Sequence, residues 1–205
     1  MRRRWILWLL LGLATPALPA AAPVILVYGD SISAGYGLSR LDEGWVALLR
    51  TRLQKKGYGY EVVNASITGE TTAGGLARLP RALAAHHPAV VLLELGGNDG
   101  LRALPLEQMQ ENLERMIELA RQSGARVVLL GMRIPPNYGP RYTDRFHATF
   151  AALAARDHVA FVPFLLERVA LDPERMQADG VHPNAAAQPE LLDTLWPVLE
   201  PLLRH

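Results

Sequence analysis

Cysteine is absent from the 205 residues of the chain. That removes a disulfide framework, a thiolate nucleophile and a cysteine-based zinc site, and it leaves no thiol for lipoprotein acylation. The body carries no block rich in lysine and arginine, and the formal charge is only +1. Nucleic acid is therefore a poor choice of main partner. No internal repeat, low-complexity tract or linker divides the chain. Its length suits one domain with a sizeable core.

What is present begins with an address. Arg2, Arg3 and Arg4 form a positive start, Trp5 to Leu13 is a short apolar run, and Ala17 to Ala22 is rich in small residues. This is the pattern of an export signal. The apolar run is shorter than the ~20 residues needed to span a bilayer. The division expected is a signal peptide over 1–22, cut within Ala20 to Pro23, and a single domain over 23–205. Removing residues 1–22 takes away three arginines and no acid, so the formal charge moves from +1 to −2. The processed protein is expected in the periplasm or the medium, without a stable membrane anchor.

The body alternates short apolar runs with helical patterns. Val24 to Tyr28, Glu61 to Asn64, Ala89 to Leu95, Arg126 to Met132 and Val159 to Val162 read as five strands. Helical stripes cover Glu43 to Lys56, Ala73 to His86, Leu106 to Gln122, Tyr142 to Arg156 and Gln188 to Leu203. A break or kink is expected near Pro80, and Gly124 suits the end of the third helix. This rhythm predicts an α/β fold: a three-layer α/β/α sandwich around a central five-stranded parallel sheet. Ligands in such folds sit beyond the carboxyl ends of the strands.

Four segments follow apolar runs at that edge or near the end of the chain: Gly29-Asp30-Ser31, Ser66 to Thr71 with Gly69, Gly96-Gly97-Asn98-Asp99, and Asp179-Gly180-Val181-His182-Pro183. Together they supply the parts of an acyl-transfer site. A serine hydroxyl needs a base, and His182 is the one histidine in a Gly/Pro-punctuated loop with an acid three residues before it. Asp179 can hold the imidazole Nδ1–H and leave Nε2 free for the Ser31 proton. An oxyanion needs aimed donors, which the Ser31 N–H, the Gly69 N–H and the Asn98 carboxamide can provide. Asp30 and Asp99 read as acids that shape their loops by bonding local backbone.

Each segment also has an ordinary reading by itself. Gly-Asp-Ser after a strand is a common turn, Gly-Gly-Asn-Asp a common loop, and Asp-x-x-His-Pro a common entry to a helix. The hydroxyl-rich Ser66 to Thr72 stretch could cradle a phosphate. His86-His87, ahead of Pro88, reads as a surface helix end rather than a metal site. The G-x-S-x-G turn of α/β-hydrolases is missing. The joint occurrence of all four segments favours the catalytic reading.

At these residues the chain resembles the SGNH (GDSL-type) hydrolase superfamily, and within it the exported thioesterase I, protease I or lysophospholipase L1 subfamily with its related arylesterases. The resemblance rests on Gly29 to Ser31 with Ser33 to Tyr36, on Asn64 to Gly69, on Glu94 to Arg102 and on Asp179 to Asn184. A further loop, Arg133 to Tyr142, is similar to one in this subfamily. The resemblance implies a flavodoxin-like sheet, Ser31 as nucleophile, His182 oriented by Asp179 as base, Gly69 and Asn98 as oxyanion donors, and no metal or organic cofactor. It implies acyl thioesters, aryl and alkyl esters or lysophospholipids as small-molecule substrates; a monomer is expected, although the sequence does not fix the oligomeric state.

An apolar groove for the acyl chain is expected between residues 100–105 and 132–140, with Leu101, Ile134 and Tyr138 as lining residues. Three other readings share the layout: an acetyl esterase of O-acetylated carbohydrate, a non-catalytic exported binding protein, and a flavin-binding electron carrier.

Overall fold

Parallel strands covered on both faces read as largely apolar runs; residues 24–28, 90–93 and 127–130 fit this, while Glu61–Asn64 is polar at both ends. The computed structural model describes residues 21–203. In chain order it holds β1 (Val24–Gly29), α1 (Ser31–Ala34), α2 (Trp45–Lys55), β2 (Glu61–Asn64), α3 (Thr72–His86), β3 (Val90–Glu94), α4 (Gly97–Leu101), α5 (Leu106–Gln122), β4 (Arg126–Leu130), α6 (Pro140–Asp157), β5 (Ala160–Val162) and α7 (Gln188–Leu199). The strands form one sheet of order β2-β1-β3-β4-β5, and every neighbouring pair is parallel. This is the doubly wound arrangement expected from the sequence. The signal-peptide assignment falls on residues 1–22, of which 1–20 lie outside the described residues. Among the described residues no helix is long and apolar enough to cross a membrane.

The strand order reverses between β1 and β3. Chains leaving those two strands diverge to opposite faces and open a crevice at their carboxyl ends. β1 and β3 are buried over nearly their full length, and their register pairs Val27 with Leu92 and Gly29 with Glu94. The core continues into the helix stripes of Leu49 and Leu53, Leu79 and Leu83, Met109, Leu113 and Met116, Phe146 and Phe150, and Leu191 and Leu195.

Two expectations change. α3 runs unbroken through Pro80. A mid-helix proline removes one N–H and crowds the preceding turn. The buried Leu79 and Leu83 sit on the same stripe on either side of it and hold both halves against the sheet. The short helices α1 and α4 were not expected; four and five residues leave no periodicity to read. At the end of α5, Gly124 at φ +88° donates to Arg121 O, and Ala125 donates to Ala120 O, a Schellman ending.

Candidate active site

Ser31 is placed by the turn from β1 into α1. Asp30 caps that helix by accepting the Ile32 N–H at 3.1 Å. Ser31 is the first helical residue, so its own N–H has no partner one turn back and faces outward from the helix start. Its side chain is 8% exposed, accessible only from the crevice.

His182 arrives from the far end of the chain on a loop closed by an antiparallel bridge between Met176 and Pro183. Within it Gln177 N–H donates to His182 O at 2.7 Å. Asp179 Oδ1 accepts the N–H groups of Val181 at 2.9 Å and His182 at 3.0 Å. Its Oδ2 lies 2.7 Å from His182 Nδ1, and His182 Nε2 lies 2.9 Å from Ser31 Oγ. With Nδ1 protonated toward the carboxylate, Nε2 is the acceptor for the serine proton. Partial burial raises the Asp179 pKa, but the two backbone N–H groups and the imidazole outweigh it and hold the carboxyl at about 2.

The loop is anchored twice. Gln177 Nε2 donates to Tyr36 O at 2.8 Å and to Pro183 O at 3.1 Å. Buried Gln188 accepts the Trp45 N–H at 3.0 Å through Oε1 and donates to Asn184 O at 3.1 Å through Nε2.

The expected oxyanion donors Gly69 and Asn98 follow β2 and β3, past the carboxyl ends of the strands on either side of β1. Asn98 stands in α4, after β3, and donates through Nδ2 to Asp30 Oδ2 at 3.0 Å. A carboxamide nitrogen carries two protons, so one remains for a ligand. Gly69 has φ +79°, and its carbonyl accepts from Arg102 Nη2 at 2.9 Å. Among the described residues no acceptor takes the Gly69 N–H. The loop that carries it is held by Arg78, which bonds Glu70 Oε2 at 2.5 Å and Ala65 O at 2.8 Å and lies 4.2 Å over the Tyr28 ring.

Asp30 does bond local backbone, as expected, but it also reaches Asn98. Asp99 differs from expectation. It accepts from the Thr72 N–H at 2.9 Å and the Thr72 hydroxyl at 2.6 Å, across 27 residues. The acid therefore ties α4 to the start of α3 rather than shaping its own loop. His87 ends α3 in the left-handed conformation, as a surface helix end should.

The segments expected to flank an acyl groove are pinned together. Tyr138 donates to Leu101 O at 2.7 Å and Tyr142 to Leu104 O at 3.2 Å. Ile134 is buried at 8% exposure, while Leu101 and Tyr138 are half-buried. A separate cavity of about 390 Å³ opens between residues 170 and 180, against the Asp179 loop; Ser31, Gly69 and Asn98 do not line it.

Three contributors escaped the sequence reading: Tyr36, Gln177 and Glu94. The Tyr36 ring lies 4.6 Å from that of His182. Tyr36 was marked only as the end of the first matching segment, without a role, and nothing in the sequence marks Gln177. Glu94 carried a signal, since an acid ending the run Val90-Val91-Leu92-Leu93 is out of place on a buried strand.

Comparison with known proteins agrees with this geometry. Residues 27–188 match the GDSL-like Lipase/Acylhydrolase family. The chain is 57% identical over 184 residues to Esterase TesA of Pseudomonas aeruginosa, covering 90% of this chain and 91% of that one. It is 45% identical over 186 residues to Thioesterase 1/protease 1/lysophospholipase L1 of Escherichia coli K12, covering 91% and 88%. A crystal structure of TesA, at 57% identity, superposes with a TM-score of 0.86 over 88% of this chain and 99% of that chain. A match over residues 27–188 that takes in all four site segments, with this identity and this fold, shows that the chain belongs to the GDSL-like lipase/acylhydrolase family of SGNH hydrolases and is a serine ester-hydrolysing enzyme.

Proposed function

We propose that the enzyme cleaves carboxylic esters and thioesters of linear acyl chains through an acyl-Ser31 intermediate, after export and removal of residues 1–22. The observation that carries the mechanism is the continuous contact from Ser31 Oγ to His182 Nε2 at 2.9 Å and from Nδ1 to Asp179 Oδ2 at 2.7 Å.

Ser31 Oγ attacks the acyl carbonyl while His182 Nε2 takes its proton. Asp179 stays ionised and stabilises the imidazolium. The tetrahedral oxyanion is held by the Ser31 N–H, the Gly69 N–H and the free Asn98 proton. His182 then protonates the leaving alcohol or thiol. In the second half the imidazole takes a proton from water, the hydroxide attacks the acyl-serine, and Ser31 recovers its proton as the acid departs. The acyl chain runs over the surface of Leu101 and Tyr138, with Ile134 supporting it from below.

The relatives named as esterase and thioesterase support both substrate classes. The start of the chain, three arginines followed by the apolar run Trp5 to Leu13 and the small residues of Ala17 to Ala22, supports export.

The test is purified residues 23–205 assayed against p-nitrophenyl esters and acyl-CoA thioesters of rising chain length, with Ser31→Ala beside it. Wild type should react stoichiometrically with a fluorophosphonate and Ser31→Ala should not. Hydrolysis at the wild-type rate by Ser31→Ala would overturn the mechanism. Turnover confined to acetyl esters would replace the long-chain reading with that of an acetyl esterase.

A further inference from the structure

Glu94 ends β3 and is fully buried. Its register partner on β1 is Gly29, where even a methyl group would collide with Glu94 Oε2. The carboxyl therefore occupies the space beneath the turn that presents the nucleophile. Oε2 accepts from Ser33 Oγ at 2.5 Å and from the Asp30 N–H at 3.2 Å. Among the described residues Oε1 has no donor.

Besides these two donors, the ionisable side chain that acts on Glu94 is the carboxyl of Asp30, the residue whose own N–H Glu94 accepts, and a carboxylate is another acceptor. Asp30 is itself 2% exposed and already receives Ile32 N–H and Asn98 Nδ2. The groups facing the pair are Ser33, Ser31, Asn98 and, at longer range, His182; no lysine or arginine is among those that bias it. Two ionised carboxylates in contact, without a cation and out of water, repel each other and lose their hydration. One proton between them turns the clash into a charge-assisted hydrogen bond.

We infer that Glu94 is kept as the neutral acid and donates its proton to the Asp30 carboxylate, which makes it a positioning residue for Asn98 and for the turn that carries Ser31. Burial and the neighbouring Asp30 charge push Glu94 well above the usual carboxyl range, as expected of a carboxyl at 0% exposure whose Oε1 has no partner among the described residues. Burial likewise pushes Asp30 up to about 6, against the lowering from Ile32 N–H, Glu94, the His182 charge and Asn98. The chain of action runs from the Glu94 proton to Asp30, from Asp30 to the Asn98 carboxamide, and from there to the oxyanion. Its last link rests on the role proposed above for Asn98; the protonation itself does not.

The experiment compares wild type, Glu94→Gln and Glu94→Ala. Glutamine reproduces a neutral acid: its amide N–H₂ donates to Asp30 and its oxygen accepts from Ser33. An unfolded Glu94 ionises in its ordinary range, at about pH 4, while the folded one keeps its proton well above it, so wild-type stability falls as pH rises between the two. Glu94→Gln has no such slope. From about pH 5 to pH 8, the folding equilibrium constant of Glu94→Gln should gain on wild type by up to about tenfold per pH unit. A difference that does not change with pH would overturn the protonated state. Infrared spectra should show a protonated-carboxyl stretch in wild type that Glu94→Gln lacks; its absence from wild type would also overturn it.

For turnover, Glu94→Ala should lose about tenfold to a hundredfold in kcat with KM within about twofold, and Glu94→Gln should recover most of that loss. Equal losses in the two variants would overturn the positioning role. None of the stability or infrared readouts depends on turnover, so failure of the acyl-serine mechanism would leave them unaffected.

Discussion

The Tyr36 ring packs 4.6 Å from the His182 ring, tilted by 46°, while the Tyr36 N–H donates to Ser31 O at 3.0 Å. One residue thus touches both Ser31 and His182, the proposed nucleophile and base. Tyr36 is half exposed at 50%. An aromatic contact of this kind contributes ~0.5–1.5 kcal/mol. Tyr36→Ala should lower kcat/KM by about twofold to tenfold, and Tyr36→Phe should recover most of that loss because the ring face makes the contact. Unchanged kcat/KM in Tyr36→Ala would show that the contact carries no energy in turnover.

Asp179 selects the imidazole tautomer through its 2.7 Å contact with Nδ1. Asp179→Asn keeps the shape, but its amide can present an N–H where the carboxylate accepts one. A loss of about 10²–10⁴ in kcat with little change in KM is expected. The pH dependence has a defined sign. The folded pKa of about 2 lies below the ~3.9 of an unfolded aspartate. The stability this group adds is fully present above about pH 4 and is lost as pH falls through about 2. The gap in unfolding midpoint between wild type and Asp179→Asn should be flat from pH 7 to 5 and close below pH 4. A gap that stays constant down to pH 2 would contradict the depressed pKa.

Arg78 holds the Gly69 loop by three contacts at once: Glu70, the Ala65 carbonyl and the Tyr28 ring. It is largely buried, with 26% of its side chain exposed, and removing it leaves Glu70 without its cation. Arg78→Ala should cost about 1–3 kcal/mol in chemical unfolding and about tenfold in kcat. Arg78→Lys should rescue little, since an ammonium cannot serve a planar fork and a ring face together. Full rescue by lysine would reduce the role of Arg78 to its charge.

Gly69 tests backbone strain without a clash. A methyl group there would meet only Arg102 Nη2, at 3.6 Å, yet φ is +79°. That left-handed geometry costs an L-residue about 1–2 kcal/mol. Gly69→Ala should either lose that much stability or let the loop relax and withdraw its N–H from the site, with a fall in kcat of about tenfold or more. Wild-type values for both stability and kcat would remove Gly69 from the oxyanion site.

Much of this enzyme was legible before folding because its strands are buried on both faces. Val24 to Tyr28 is a continuous apolar run, Ala89 to Leu95 is interrupted only by Glu94, and each leads into one of the expected site segments. His182 was legible for a local reason: Asp179 lies three residues away in a Gly/Pro-punctuated turn. Other features had no local mark. Pro80 looked like a break because the packing of Leu79 and Leu83 is invisible in a linear reading. Asp99 looked like a loop acid because its partner Thr72 is remote.

The amino-acid order by itself determined the five strands, the residues at their carboxyl ends and the pairing of Asp179 with His182, since each follows from periodicity or from neighbours a few residues apart. Tertiary structure alone decided that Ser31 and His182 meet across 151 residues, that Tyr36 covers the imidazole, and that Glu94 lies beneath Asp30. Those contacts depend on strand order and register. Both are set by how the buried faces of several elements pack together, and no single segment encodes them.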